Sequence, residues 1–282
     1  MSIRIITDST SDIPLDRQEE LGIDIVSLSV LFGEEEYLDG VNLSKKEFYQ
    51  KLSQCEKLPT TAQVNPERFT EVFGKYIDSG DEVIGIFISS KLSGTFQSAE
   101  IAKNMLNTDK IYLIDSLSAT FGLALLVYEA IKMRDAGKSA SELYETLNAL
   151  TARLKFYAII DTLKYLKMGG RLSSSSAFLG TMLHVKPIIS LVGGLIAPVD
   201  KKRGLKPAAE CIAKKVAEDK PDTRYEMVFG DSNAPNLSQM LKDAVSKTAN
   251  TENSKAIAIG ATVGTHAGPG CAGVAYIAAA GG

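Results

Sequence analysis

The 282-residue chain has no tryptophan, two histidines and three cysteines, and it has no strong excess of either charge. Its 31 basic and 34 acidic residues give a formal net charge of -3, so the chain lacks the positive surface that nucleic-acid binding requires. The cysteines Cys55, Cys211 and Cys271 are odd in number and far apart in the sequence. This fits a reducing compartment and argues against a disulfide framework or a cysteine-built zinc site.

Long apolar runs are also missing. The longest, residues 188–199, contains Ser190 and two glycines, and it is shorter than the roughly 20 residues that a membrane-spanning helix needs. The N-terminus reaches an acid, Asp8, before the apolar core of a signal peptide can form. We therefore expect a cytoplasmic protein with no integral membrane segment and no nucleic-acid partner.

In the first half of the chain, strand-length apolar runs alternate with helical periodicity, as in proteins whose crossover helices cover a parallel sheet. The pattern predicts strands at 3–7, 83–88 and 111–115, and an extended pair or hairpin at 25–32 and 35–38. It predicts helices at 14–21, 44–55, 66–78, 95–105, 118–134 and 139–154.

Beyond residue 152 the strand spacing becomes more hairpin-like. Strands are predicted at 156–160, 187–191, 194–199, 225–229, 256–260 and 274–278, and helices at 207–218 and 236–247. The predicted fold class is α/β with two domains: an N-terminal, mainly parallel α/β sandwich at 1–151 and a C-terminal α/β, α+β-like layer domain at 152–282. We expect the ligand cleft to lie between them, because ligands of open α/β sheets bind beyond the carboxyl ends of the strands.

Three polar loops lie at or near such strand ends: residues 8–12 (DSTSD), 59–63 (PTTAQ) and 89–95 (SSKLSGT). At Ser93 and Gly94 a buried strand meets a helix, where free N–H groups and the positive end of the helix dipole suit an anion. Hydroxyls such as that of Thr61 can hydrogen-bond a carboxylate without carrying charge. Local capping and turn chemistry explain residues 8–12 and 89–95 at least as well as a ligand does, and an ST-turn is the preferred interpretation of 59–63 taken singly.

One cationic residue and one titratable residue, Arg171 and His266, lie next to glycines in the sequence. Arg171 follows the pair Gly169-Gly170, the expected left-handed end of a helix that begins near Asp161, and its guanidinium fork matches a carboxylate or phosphate. A solvated surface arginine is the alternative. His266 lies in the glycine-rich segment 260–270, which we expect to be a loop whose bare backbone approaches a ligand closely.

Several catalytic signatures are absent, namely GxSxG, Walker A, HExxH and CxxC. We therefore predict no metal, no cofactor and no complete catalytic machinery. Ser93 and His266 are a conceivable nucleophile and base, although nothing in the sequence fixes a third member of a triad. A stand-alone acyl hydrolase or transferase thus remains the alternative to a binding protein.

Taken together, the motifs resemble the DegV family along essentially the whole chain. The residues that carry the resemblance are Asp8-Ser9-Thr10, 60–63 (TTAQ), 90–95 (SKLSGT), Asp115-Ser116, 167–172 (KMGGRL) and 264–270 (GTHAGPG). The resemblance implies a two-domain bacterial protein that binds a long-chain fatty acid such as palmitate, stearate or oleate between its domains. It further implies a kinase partner, similar to dihydroxyacetone kinases, that uses ATP to convert the bound acid to an acyl phosphate for phospholipid synthesis.

The same resemblance assigns the site residues. Thr61 and Ser93, supported by the Gly94 N–H, would hold the carboxylate, while Arg171 and His266 would lie at the mouth of the site. The acyl chain would enter an apolar pocket formed by the second domain. From their composition, 178–183 and 188–189 are either lining of such a pocket or ordinary core, with core packing as the default, and 173–176 is either a gate or an ordinary loop. A regulatory sensor, whose lipid occupancy a protein partner reads, is a further alternative. Chain length and saturation are left open.

Overall fold

A computed structural model describes residues 2–172 and 185–280, which form three β-sheets covered by helices. The strands are β1 (Ile3–Asp8), β2 (Ile23–Val26), β3 (Ser29–Phe32), β4 (Glu35–Leu38), β5 (Thr60–Ala62), β6 (Glu82–Phe87), β7 (Ile111–Asp115), β8 (Leu154–Ile159), β9 (Val185–Val192), β10 (Leu195–Arg203), β11 (Val228–Ser232), β12 (Lys255–Ala258) and β13 (Cys271–Ile277). The helices are α1 (Gln18–Leu21), α2 (Lys45–Gln54), α3 (Pro66–Asp78), α4 (Thr95–Leu106), α5 (Thr120–Asp135), α6 (Ala140–Thr151), α7 (Lys164–Met168), α8 (Leu205–Asp219), α9 (Pro235–Val245) and α10 (Ala261–Ala267).

The first sheet has the order β2-β1-β6-β7 and is parallel throughout, as predicted. Its central strands are apolar on both faces because helices cover both. Phe69 and Phe73 of α3 pack on one face with Ile6 and Phe87, while α5 and α6 cover the other. The carboxyl ends of β1 and β6 therefore point their following loops, residues 8–12 and 88–94, toward the same edge.

The second sheet has the order β10-β9-β8-β13-β11-β12 and is antiparallel except for the pair β11–β12. Helices α8 and α9 cover one face. Helix α5 packs against β11 and β13 on the other face and also against β1 and β6 of the first sheet. Residues 120–131 of α5 are all buried, which is expected of a helix that is enclosed on every side.

A third, antiparallel sheet has the order β4-β3-β5 and carries Thr61. The predicted hairpin around Gly33 is present, but the predicted strand 25–32 is divided between two sheets. The division falls at Ser27 and Leu28, where the Leu28 N–H donates to Ser9 Oγ and the Ser27 hydroxyl donates to the Asp39 carbonyl. These bonds to loops turn the chain from β2 into β3.

The passage from the first sheet to the second occurs near the predicted boundary at residue 152. Helix α6 ends at Thr151, earlier than predicted, because Arg153 turns away to donate from its Nε to the Ala278 carbonyl (2.8 Å) and from its Nη2 to Asp222 (2.5 Å). All strands of the first sheet precede this point and all described strands of the second follow it.

The apolar segment 178–183, the serines 173–176 and His184 lie outside the described residues. Within the described ranges, no helix has the combination of length and apolarity that crossing a membrane requires.

Candidate functional site

A largely apolar cavity lies between the two large sheets and reaches the edge where the polar loops converge. Its apolar lining consists of Leu28, Ile88, Leu92, Ala119, Phe121, Phe156, Ala158, Ile160, Leu166, Ile189, Leu191, Ile196, Ile259, Val263, Ala267 and Cys271. Its polar lining consists of Thr61, Gln63, Ser93, Thr120, Arg171, Thr262 and His266, together with Gly94. The apolar lining thus comes from both halves of the chain, whereas the sequence-based expectation assigned it to residues 152–282.

Ser93 and Gly94 follow β6 and form the start of α4. The Ser93 hydroxyl accepts a hydrogen bond from the Thr95 N–H (3.3 Å) and lies 2.9 Å from Thr95 Oγ1, so Ser93 makes a local turn at the start of the helix and also lines the cavity. Gly94 is the N-cap residue, and no side chain caps this helix. The two interpretations of this loop, local turn and ligand contact, are therefore compatible.

Thr61 and His266 are far apart in the sequence but adjacent at the edge of the cavity. Thr61 lies on β5, which pairs with β3, and its Oγ1 is 2.9 Å from His266 Nε2. The hydroxyl is thereby fixed toward the cavity rather than used in a local turn. All five predicted site residues line this one cavity.

The segment that contains His266 is a helix, α10, and not the predicted glycine loop. Asp39 is the reason: its two carboxylate oxygens accept hydrogen bonds from the Ala261 and Thr262 N–H groups, both at 3.0 Å, and so cap the first turn. Gly264 does not break the helix, because it lies in close contact with the aromatic side chains of α2, where a Cβ atom would lie 2.6 Å from the Phe48 ring.

Burial, together with the nearby positive charge of the Arg171 guanidinium, lowers the pKa of His266 to about 4. The imidazole is therefore neutral at pH 7. Among the described residues, no hydrogen-bond partner reaches its buried Nδ1 atom, which faces Gly169. A Cβ atom on Gly169 would lie 2.2 Å from Nδ1, so the position of His266 requires glycine at residue 169.

Arg171 is held by backbone carbonyls and is not a freely solvated arginine. Its Nε donates to the Leu92 carbonyl (3.2 Å) and its Nη1 to the Gly169 carbonyl (2.5 Å). Of the two glycines before it, Gly170 has the left-handed backbone, with φ of 70°. The side chain is half-buried at the cavity, where it supplies the positive charge beside His266.

Gln63 also lines the cavity, although it is not among the five predicted site residues. Its Nε2 donates to Ser98 Oγ (2.9 Å). A Cβ atom added at Gly94 would lie only 2.0 Å from the Gln63 Oε1 atom. The signal was present in the sequence, since Gln63 shares a loop with Thr61 and Gly94 has no side chain to exclude it.

The described hydrogen bonds pair Ser93 with Thr95 and His266 with Thr61, so they do not assemble a Ser93–His266 nucleophile and base. The described part of the chain also contains no cluster of three or more metal-ligating side chains. What the arrangement offers is an apolar enclosure whose one polar edge presents hydroxyls, a helix N-terminus and one cation.

The fold and the site together define a class: an α/β protein of three sheets whose largely apolar cavity suits an apolar molecule with an anionic end. Comparison with known proteins names the family. The model of the DegV family, described as "Uncharacterised protein, DegV family", matches residues 2–279. The chain belongs to the DegV family.

Known proteins are similar to this chain along nearly its full length. A DegV domain-containing protein of Caldanaerobacter subterraneus is 38% identical over 277 residues, which is 97% of this chain and 98% of the relative. A DegV family protein of Thermus thermophilus, described for its fatty-acid binding, superposes with a TM-score of 0.90 at 31% identity and covers 99% of this chain and 100% of its own. A stearic-acid-binding protein of Eubacterium ventriosum gives a TM-score of 0.89 at 29% identity, with coverage of 99% and 98%.

Proposed function

We propose that the protein binds a long-chain fatty acid, such as palmitate, stearate or oleate, in the cavity and presents it to a separate kinase. The carboxylate would lie at the polar edge, between two domains that meet after residue 151, and the acyl chain would fill the apolar enclosure. The observation that carries this proposal is the convergence of Thr61, Ser93, Arg171 and His266 at one edge of a largely apolar cavity. The fatty-acid-binding proteins of Thermus thermophilus and Eubacterium ventriosum, which share the fold, support it.

The Thr61–His266 pair explains how a neutral group can bind a carboxylate. A buried N–H without a partner is rarer in proteins than an unpaired acceptor, so the proton belongs on Nε2 and the lone pair on Nδ1. Nε2–H then donates to Thr61 Oγ1 across the 2.9 Å contact. This leaves the Thr61 proton to point into the cavity, where it donates to the carboxylate.

Charge and helix polarity complete the carboxylate site. Ser93 and the Gly94 N–H lie at the N-terminus of α4, where the helix dipole favours a negative charge. Arg171 brings a full positive charge, held in place by the Leu92 and Gly169 carbonyls. Such partners are necessary because an isolated carboxylate in an apolar enclosure is strongly unfavourable.

Presentation to a kinase follows from where the carboxylate would lie. Arg171 and His266 are half-buried, so the head group would face outward while the chain is enclosed. In the partner's reaction, a carboxylate oxygen would attack the γ-phosphorus of ATP, forming the acyl phosphate and releasing ADP. The partner would supply ATP and its metal; this chain would supply the bound acid and the adjacent guanidinium.

Binding is tested by native mass spectrometry of the purified protein, which should show a bound C16 or C18 acid. Ser93→Ala should weaken the uptake of added fatty acid roughly 10- to 100-fold, because a hydrogen bond to a charged group contributes about 1.5–3 kcal/mol. Ser90→Ala is the matched control, since Ser90 lies in the same loop but does not line the cavity. An empty protein that also fails to take up added acid refutes the proposal.

Presentation is tested by adding ATP and a kinase similar to dihydroxyacetone kinases, and by trapping acyl phosphate with hydroxylamine. Product should require the kinase, ATP and this protein together. Release of acid from acyl esters without kinase or ATP, lost in Ser93→Ala, would instead support the hydrolase alternative.

A further inference from the structure

We propose that Gln63 binds the ligand's carboxylate from the open side of the cavity, through the amide N–H that its contacts within the protein leave free. This inference rests on the proposed function and adds to it a neutral donor for the carboxylate oxygen that faces outward. Among the described lining residues, Gln63 is the one that is exposed, whereas Thr61, Ser93, Arg171 and His266 are partly buried. Gln63 therefore lies on the solvent side of the head group.

The extended chain at the end of β5 places Gln63 beside the predicted carboxylate site. Side chains alternate along such a chain, so Thr61 and Gln63 share a face, and both line the cavity while Ala62 between them does not. Thr61 contacts His266 of α10, and Gln63 contacts Ser98 of α4. This short segment thus bridges two of the helices that supply the site.

Both polar atoms of the Gln63 amide are held at the first turns of α4. Its Nε2 donates to the hydroxyl of Ser98, a residue that is 1% exposed. Its Oε1 lies against Gly94, the N-cap residue, where the positive end of the helix dipole suits a carbonyl oxygen. A reversed amide would bring N–H groups to that positive end, so the two contacts fix the orientation of the amide.

This orientation leaves one donor for a ligand. The amide nitrogen carries two N–H groups, and Ser98 accepts from one of them. None of the residues that the structure describes accepts from the other. Because the amide packs against Gly94, a carboxylate held by Ser93 and the Gly94 N–H would lie next to it. An N–H that donates to a carboxylate forms a stronger hydrogen bond than one that donates to a neutral acceptor.

The experiment measures the Kd of palmitate for the full-length protein and three variants at Gln63. Gln63→Met keeps the length of the side chain but has no donor, and it should bind roughly two- to tenfold more weakly. Gln63→Glu places a negative charge beside the carboxylate and should weaken binding by about a further tenfold. Gln63→Lys supplies N–H donors and a positive charge, so it should bind palmitate at least as tightly as the unmodified protein.

Gln97→Glu and Gln97→Lys are the matched controls. Gln97 is exposed in the first turn of α4 but does not line the cavity, so the same charge changes there should leave the Kd nearly unchanged. Equal weakening by Met, Glu and Lys at residue 63 would show a structural role for Gln63 and overturn the inference. Affinities equal to that of the unmodified protein in all three variants would overturn it as well. Failure of the unmodified protein to bind any acid would instead refute the proposed function.

Discussion

Replacement of Gly169 by alanine tests how His266 is positioned at the cavity edge. Gly169 has φ of -76°, which any residue adopts, so the substitution introduces no backbone strain. Its Cβ atom, however, would lie 2.2 Å from His266 Nδ1, where ordinary contact begins at 3.4 Å, so the imidazole must move by more than 1 Å. The 2.9 Å contact with Thr61 then breaks.

The size of the effect follows from that contact. A net loss of about 0.5–1.5 kcal/mol for one hydrogen bond predicts fatty-acid binding roughly two- to tenfold weaker. A displaced, better hydrated imidazole also loses the cause of its lowered pKa, which should rise from about 4 toward the ordinary value of 6.5.

Two measurements test these numbers. Displacement of a fluorescent polyene fatty acid gives the affinity, and NMR titration gives the imidazole pKa. The chain has two histidines, so the second measurement is simple, and a His184→Gln background assigns the His266 signal.

Gly170→Ala is the matched control. Gly170 has φ of 70°, so alanine there costs about 1 kcal/mol of stability, but a Cβ atom would have nothing within 4 Å and would leave His266 in place. Unchanged affinity and an unchanged His266 pKa in Gly169→Ala would show that the glycine does not position the histidine.

Two further predictions concern the buried acids that hold α10. Asp39→Ala should lower the free energy of unfolding by about 2–4 kcal/mol, because two buried N–H groups, of Ala261 and Thr262, lose their acceptor. Asp39→Asn retains an acceptor and should lower the free energy of unfolding by less. Equal losses in denaturant titrations of the two variants would contradict this prediction. Burial raises the pKa of Asp12 to about 7, so the folded state keeps a proton that the unfolded state releases near pH 4, and the unmodified protein loses stability as pH rises between these values. Asp12→Asn still accepts from the Gly260 N–H and has no proton to lose, so relative to the unmodified protein it should gain on the order of 2 kcal/mol between pH 5 and pH 8; a relative loss over that range would refute the assignment.

The sequence predicted those segments whose secondary structure is determined by residues close to them in the chain. Strand β6 is an apolar run buried on both faces, and the edge strand β7 repeats the run with partly exposed residues. Helix α3 starts with Asn65 as its cap and Pro66 in its first turn, so these local patterns sufficed. The segment 25–32 reads as one strand by the same criteria, yet hydrogen bonds to Ser9 and Asp39 divide it between two sheets. Those partners are distant in the sequence.

The site shows the same division. Ser93 and Gly94 were predictable because the end of a strand, a helix N-terminus and hydroxyls are consecutive in the chain. His266 was predicted in a loop because glycines suggest one, whereas the helix exists through Asp39, 222 residues from Ala261. The position of Phe121 gave no signal in the sequence, since its ring packs on glycines in two strands of the second sheet.

The sequence by itself determined the α/β class, most elements and the chemical kinds of residue available for an anion, because propensity, periodicity and capping act over a few residues. Only the tertiary structure decided that Thr61 meets His266, that Gly169 makes room for that imidazole and that residues from both halves of the chain line one cavity. Such contacts join segments up to 205 residues apart, as Thr61 and His266 are. They are fixed by the packing of the two large sheets against α5 and of the third sheet against α10.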